Sequence, residues 1–302
     1  MKIDDPFERV KLGATDVVVS RLAWGMWRFQ GDDLGHARAL VEAAFDAGIN
    51  LFDTADIYGY NGCEGFGSAE VLLGRLFAAD RGLRRKMVLA SKGGIVPGVP
   101  YDSSADYLVA ACEASLRRLG TDHLDLFQVH RPDMLAHPAE VARALETLVA
   151  SGKARSVGVS NYTPTQTAAL VAHLHIPLAS LQPEFSPLVI EPLADGTLDF
   201  AMQHGISVLA WSPLAGGRLG APGDDERAKR VCAELDAQAV RCGVSRTAAA
   251  YAWSMAHPAG IIPIVGSQQV HRIREAADAY RVVWTRADWY RVLVAARGAA
   301  LP

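Results

Sequence analysis

The chain has 302 residues, half of them hydrophobic and 21% charged, with a formal net charge of −3. That length and balance fit an ordinary globular chain with ample core, of one or two domains. With no basic block and no run near the ~18 to 20 apolar residues of a membrane span, the composition argues against nucleic-acid, membrane-surface and membrane-spanning classes.

In chain order, "MKIDDPFERVKLG" is charged and lacks the apolar stretch of a secretory signal. "VKLGATDVVVS" alternates weakly around Gly13 and Asp16 and predicts an N-terminal β-hairpin. A repetitive pattern follows. "RLAWGMW" precedes the helical "LGHARALVEAAFDAG", and "NLFDTAD" precedes "GSAEVLLGRLFAA". "MVLASKGG" leads to "SADYLVAACEASLRRLG", and "LDLFQVH" to "PAEVARALETLVASG". "ARSVGVSN" pairs with "TPTQTAALVAHL", and "SLQPEFS" with "TLDFAMQHG". "SVLAWSPL" pairs with "SRTAAAYAWSMA", and "IIPIVGS" with "VHRIREAADA".

Near-continuous apolar strands alternating with amphipathic helices indicate a parallel sheet covered on its outer face. Eight such units in about 250 residues are the size of a closed (β/α)8 TIM barrel. The competing open doubly wound sheet would carry GxGxxG after its first strand, and "LAWGMWRFQG" does not. Two helices lie outside the repeat, "DDERAKRVCAELDAQAVRCG" and "TRADWYRVLVAARG", the second with Thr285 as N-cap. The hairpin is expected to close the barrel floor. No Pro/Gly/Ser-rich linker divides the chain, so a single domain over residues 1–302 is expected. Cys63, Cys112, Cys232 and Cys242 are scattered without a CxxC pair, which predicts reduced thiols, a cytoplasmic location and no structural metal.

Chemistry in such a barrel sits at the C-terminal strand ends. The residues there are polar: Asp53 and Tyr58, Ser91 and Lys92, His130 and Arg131, Ser160 and Asn161, Gln182 and Glu184, Trp211 and Ser212, Gly266 and Ser267. Lys92 ends the apolar run "VLASK", where an unpaired ammonium is costly, and Asp53 is one strand away. A positive charge beside Tyr58 is expected to lower its pKa. With His130 the set suits carbonyl reduction, Tyr58 protonating the developing alkoxide. Each residue alone also has a plainer reading: Lys92 as a rim salt bridge, His130 as a core histidine, Tyr58 as a loop aromatic. Metal ligation by Asp53, Asp56 and His130 lacks an HxH or HExxH pair. Asp56 is expected to be solvated in its loop or bonded to nearby backbone.

In "GSQQVHR" a Gly-Ser turn opening a helix is a natural phosphate site, and Arg272 about a turn on suits a bidentate phosphate contact. Trp27 and Phe29, with Tyr60 and Tyr101, could form an aromatic wall or simply pack a barrel rim. The loops over the mouth are short, which predicts an open, wet site.

The ordered set "DTADIYG", "ASKGG", "HLDLFQVHRPD", "SGKARSVGVSNYTP", "LQPEFSPL", "LAWSPLAGGRL" and "PIVGSQQVHRIREA" resembles the aldo-keto reductase superfamily, essentially end to end. The nearest likeness is to its bacterial oxidoreductase branch. The resemblance implies a (β/α)8 barrel and NADP(H)-dependent interconversion of aldehydes or ketones with alcohols or sugars. It implies a tetrad of Asp53, Tyr58, Lys92 and His130, with Tyr58 as general acid or base. It places Ser160, Asn161 and Gln182 on the nicotinamide carboxamide, Trp211 on its ring, and Gly25 and Met26 near its ribose. Ser212 and Leu214 would follow the pyrophosphate. Gly266, Ser267, Gln268 and Arg272 would face the 2′-phosphate end, and Glu275 the adenine. Gly266 stands where many members have lysine, and Ala276 where an asparagine is frequent, so NAD(H) stays open as the alternative cofactor. The implied partner is a small carbonyl or sugar, with no nucleic acid, membrane or obligatory protein partner. Another reading is a nicotinamide-binding regulatory subunit, like the barrel-shaped β subunits of potassium channels, with vestigial catalysis. A metal-dependent barrel hydrolase is a third.

Overall fold

The computed structural model describes residues 8–302, so the reading of the first seven residues lies outside it. Strands β1 (Arg9–Lys11) and β2 (Val18–Ser20) form the antiparallel hairpin. The barrel strands follow as β3 (Ala23–Gly25), β4 (Leu51–Asp53), β5 (Val88–Gly93), β6 (Leu126–Val129), β7 (Val157–Ser160), β8 (Leu178–Gln182), β9 (Ser207–Ala210) and β10 (Ile262–Val265). All eight run parallel in sequence order, and β10 closes on β3.

The ring helices are α1 (Leu34–Asp46), α2 (Ser68–Ala79), α3 (Ala105–Leu119), α4 (Pro138–Ala150), α5 (Pro164–Val171), α6 (Thr197–His204), α8 (Arg246–Met255) and α9 (Val270–Glu275). The expected two extra helices are α7 (Glu226–Cys242) and α10 (Arg286–Arg297), which pack against each other. Helix starts carry short polar caps where the chain leaves extended geometry, since the first N–H groups of a helix lack internal partners. Asp33, Ser104, Asp225 and Ser245 accept from the first turns of α1, α3, α7 and α8. Thr163 and Gln166 form a reciprocal capping box on α5, and Thr285 caps α10 as expected. No helix among the described residues is long and apolar enough to cross a membrane. All four cysteines are free thiols.

The pleat divides each strand between two cores. Outward residues such as Phe52, Leu89, Phe127 and Val129 join the helix layer. Inward residues Ala23, Leu51, Val88, Ala90, Leu126, Ala179, Leu209, Ile262 and Ile264 fill the lower barrel with Leu12, Val17 and Val19 of the hairpin region. The hairpin therefore plugs the floor. Gly13, at φ +57°, is required there: an added Cβ would sit 2.6 Å from the Ala179 carbonyl oxygen. Its N–H donates to Ser207 Oγ at 2.7 Å. Above this apolar layer the inward positions change to Asp53, Lys92, Gln128, Ser180 and Gln182, every one buried. Gly158 on β7 makes room for that layer, because a side chain there would collide with the Ser180 hydroxyl.

Candidate active site

The polar layer is organised by Lys92. Its Nζ donates to Asp53 Oδ2 at 2.7 Å, to the Thr54 carbonyl at 2.8 Å and to the Tyr58 hydroxyl oxygen at 3.0 Å. All three ammonium protons are thus satisfied inside a fully buried site, which burial of a charge requires. The segment "DTADIYG" is fastened to β5 by its own backbone: Thr54 N–H donates to Ala90 and Asp56 N–H to Lys92, at 2.9 and 3.0 Å. Strand pairing thereby brings Tyr58 beside a lysine 34 positions later. Because the Tyr58 oxygen accepts from Lys92, its own proton is free to point elsewhere.

Asp53 is held from its other oxygen. Gln182 Nε2 donates to Oδ1 at 3.0 Å, and Gln128 Nε2 approaches it at 3.4 Å. Ser180 Oγ in turn donates to Gln128 Oε1 at 3.1 Å. Gln128 and Ser180 were not singled out in the sequence. The available signal was an amide two residues before His130 in an otherwise apolar strand, which the pleat turns to the same side. Ser91, grouped with Lys92 by position, faces the other way and donates to Glu70 of α2 at 2.5 Å.

Burial raises the Tyr58 pKa and outweighs the lowering effect of the Lys92 charge. This reverses the expectation of a lowered value: desolvation of the phenolate is the larger effect, and the residue is a neutral phenol near pH 7. For Lys92, burial disfavours the charge, but Asp53 and Tyr58 together more than offset it and the pKa is raised. His130 is held well below its usual 6.5 by burial first, then by the charges of Lys92 and Arg131. A neutral imidazole therefore faces a neutral phenol, ring centroids 5.8 Å apart and nearly perpendicular. Its Nδ1 is buried without a hydrogen-bond partner. Trp27, 57% exposed, stands edge-on to Tyr58 at 5.1 Å, whereas Phe29 is buried against Trp24 and belongs to the core. Arg131 lies 5.7 Å over the Trp211 ring. Its charge also acts, as a smaller effect, on Tyr58 and His130.

A second network adjoins the tetrad. Ser160 Oγ donates to the Gln182 carbonyl at 3.0 Å. Asn161, in left-handed geometry at φ +62°, donates from Nδ2 to the His130 carbonyl and to Ser160 Oγ. Its Oδ1 accepts from Trp211 Nε1 at 2.9 Å, which fixes the half-buried indole. Ser212 and Ala215 also have positive φ, and Ser212 Oγ accepts from Gly216 N–H at 2.7 Å. Strained backbone of this kind persists where the surroundings impose it, commonly at ligand clamps. Leu214 packs beneath this turn against the core.

On the β10 side, Gln268 Nε2 donates to the Gly25 carbonyl at 3.3 Å and Trp24 Nε1 to the Ser267 carbonyl at 3.0 Å. Met26 is fully buried, Gln268 Oε1 is buried without a partner, Gly266 and Arg272 are exposed, and Glu275 is half-buried. α9 begins only at Val270, three residues after the Gly-Ser pair, so the phosphate reading moves from the helix start to the preceding turn. These features suit a nicotinamide dinucleotide: a pinned aromatic face beside the tetrad, positive-φ turns, a buried amide oxygen able to accept from a hydroxyl, and an exposed guanidinium able to donate to a phosphate.

Asp56 departs from expectation. It is 1% exposed rather than solvated, no side chain bonds its carboxyl, and the neighbouring Ile57 N–H offsets only part of the cost of burying it. A short loop resting on a strand end between two helices is itself interior, which a polar turn does not announce.

Residues 21–293 match the model of the aldo/keto reductase family. A 6-dehydroglucose reductase of Novosphingobium aromaticivorans is 57% identical, over 97% of this chain and 96% of that protein. Another 6-dehydroglucose reductase, from Agrobacterium fabrum, is 40% identical over 93% and 95% of the two chains. Among solved structures, a thermostable aldo-keto reductase crystallised with epalrestat has a TM-score of 0.80 at 24% identity, covering 94% of this chain and 98% of that one, a likeness of fold.

Proposed function

The chain belongs to the aldo/keto reductase family of oxidoreductases, and we propose that it reduces the aldehyde or ketone carbonyl of a small polyhydroxylated substrate with NADP(H), or oxidises the alcohol in reverse. The observation that carries this reading is the Lys92 bond to the Tyr58 oxygen, which leaves the phenolic proton available beside the neutral His130. NADP(H), when bound, supplies the hydride. Tyr58 gives its proton to the oxygen of the carbonyl as negative charge grows there, and the phenolate left behind is stabilised by the Lys92 ammonium. Asp53, bonded to Gln182 and approached by Gln128, keeps that ammonium in place. His130, kept neutral by burial, orients the carbonyl without competing as an acid.

Ser160, Asn161 and Gln182 would meet the carboxamide of the cofactor and Trp211 its ring. The Asn161 Nδ2 protons are already committed to His130 and Ser160, so its contribution there is the remaining lone pair on Oδ1. Gly25, Met26, Ser212 and Leu214 would follow the ribose and pyrophosphate. Gly266, Ser267, Gln268 and Arg272 would take the phosphate end and Glu275 the adenine. Arg272 favours a 2′-phosphate and hence NADP(H) over NAD(H). The names of the two relatives point to a sugar aldehyde. Arg131 over Trp211 adds guanidinium donors for its hydroxyls. The free cysteines support a reducing, cytoplasmic setting.

The test is a panel of carbonyls, 6-dehydroglucose and simple aldehydes among them, run with NADPH and with NADH. Turnover of a sugar aldehyde with preference for NADPH is expected. Tight NADPH binding with no carbonyl turned over would instead favour the vestigial, regulatory reading.

A further inference from the structure

Asp56 sits between Asp53 and Tyr58 in sequence, but its side chain faces away from the mouth, into the layer between β5 and helices α2 and α3. Its Oδ2 is 3.4 Å from the point a Cβ on Gly93 would occupy, so it lies alongside β5 one residue past Lys92. From the same residue, the N–H donates to the Lys92 carbonyl at 3.0 Å. The titratable groups acting on it from the packed elements are Glu70 on α2, Arg118 on α3 and Lys92 on β5, with its own charge felt by Tyr107 on α3. None offers an uncommitted counter-charge. Glu70 is fully buried and already holds Ser91 and Arg118, the latter at 2.7 Å. Arg118 also donates to Ser115, and Lys92 has no proton left.

We propose that Asp56 is a positioning residue that works only as a neutral acid, wedging the Tyr58 turn against β5 so that the phenol stays on Lys92. The proposal rests on the reading of Tyr58 as proton donor. Ionised, the carboxylate needs water, and water reaches it only if residues 54–58 lift from β5. That breaks the Asp56–Lys92 backbone bond and draws Tyr58 away. Burial, reinforced by the Glu70 charge, pushes the Asp56 carboxyl up to about 8. The unfolded chain loses this proton near the ordinary 3.8. The Asp56 contribution to stability therefore falls as pH rises from about 4 to about 8 and then levels off, since the folded state binds the extra proton in that window.

The experiment compares wild type, Asp56→Asn and Asp56→Ala in kcat against pH from 6 to 10. Backbone hydrogen exchange across residues 54–58 is followed at matched pH. Asp56→Asn keeps shape and neutrality, so it should match wild type within about twofold at pH 6 to 7 and hold its kcat to pH 9. Wild type should lose about tenfold per pH unit above 8 while residues 54–58 exchange faster than in the Asn variant. Asp56→Ala should lower kcat at every pH with KM little changed. A shared alkaline limb in wild type and Asp56→Asn overturns the proposal, as does an Ala variant equal to wild type throughout. If no carbonyl is turned over, the exchange comparison decides alone: a difference above pH 8 sustains the wedge while the functional reading fails, and identical exchange sinks the wedge.

Discussion

The two ends of the barrel interior are built from the same strands on opposite principles. At the floor, Leu51, Val88 and Leu126 meet Leu12, Val17 and Val19 in an apolar plug. Two residues further along the same inward faces stand Asp53, Ala90 and Gln128, with Lys92 beyond Ala90. The floor is stabilised by removing apolar surface from water, a non-directional effect that tolerates no loss of volume. The mouth buries an ion pair that is tolerable because all three Lys92 ammonium protons and both Asp53 oxygens have partners. Apolar packing and polar bonding are thereby separated along β4, β5 and β6 by one turn of the pleat.

Replacing Tyr58 by Phe should break this comparison at its chemical end. Carbonyl reduction should fall by about 10²- to 10⁴-fold, the usual range for a general acid. Unfolding stability should drop by no more than about 1–3 kcal/mol, the cost of one Lys92 proton left without its acceptor. Steady-state kinetics beside a denaturant titration reads both quantities, and retained activity would remove Tyr58 from the mechanism. At the other end, Leu12→Ala leaves a void in the plug and should cost about 2–5 kcal/mol with kcat per folded molecule unchanged. A large fall in kcat there would show that the floor and the mouth are coupled.

The smallest effect sharpens the comparison through pH. The folded His130 pKa lies well below 6.5. The unfolded chain therefore binds the proton first on acidification, and the His130 contribution to stability, opposite in sign to that of Asp56, falls as pH drops below about 6.5, by at most ~1.4 kcal/mol per pH unit. His130→Gln should flatten that slope in urea unfolding measured at pH 5 and 7. Equal slopes in the two proteins would mean the imidazole is not desolvated.

Much of this was legible. Apolar runs ending in polar residues located the strand ends, and helical spacing with caps such as Thr163 and Thr285 located the helices between them. The tetrad stood out because Lys92 and His130 are improbable at the ends of strands that are otherwise apolar. Three things were not legible. Ser91 and Lys92 are adjacent in sequence but face opposite sides of the sheet, so grouping by position merges a hydroxyl bonded to Glu70 with the ammonium bonded to Asp53. Gln128 was passed over inside an apolar run although it faces Asp53. The turn around Asp56 suggests solvent or local backbone as its partner, because turns usually lie at the surface, and gives no sign of its burial.

By itself, the sequence determined the order and type of the elements, the (β/α)8 closure and the identities of Asp53, Tyr58, Lys92 and His130, since hydrophobic period and strand-end polarity are local properties. Only the tertiary structure decided the protonation and the commitments of those groups. The Tyr58 pKa turns upward, Asp56 is buried against β5, and Gln182 donates from its amide to Asp53, 129 residues away. Desolvation and hydrogen-bond satisfaction depend on what distant segments place around a group, and no window of neighbouring residues contains that information.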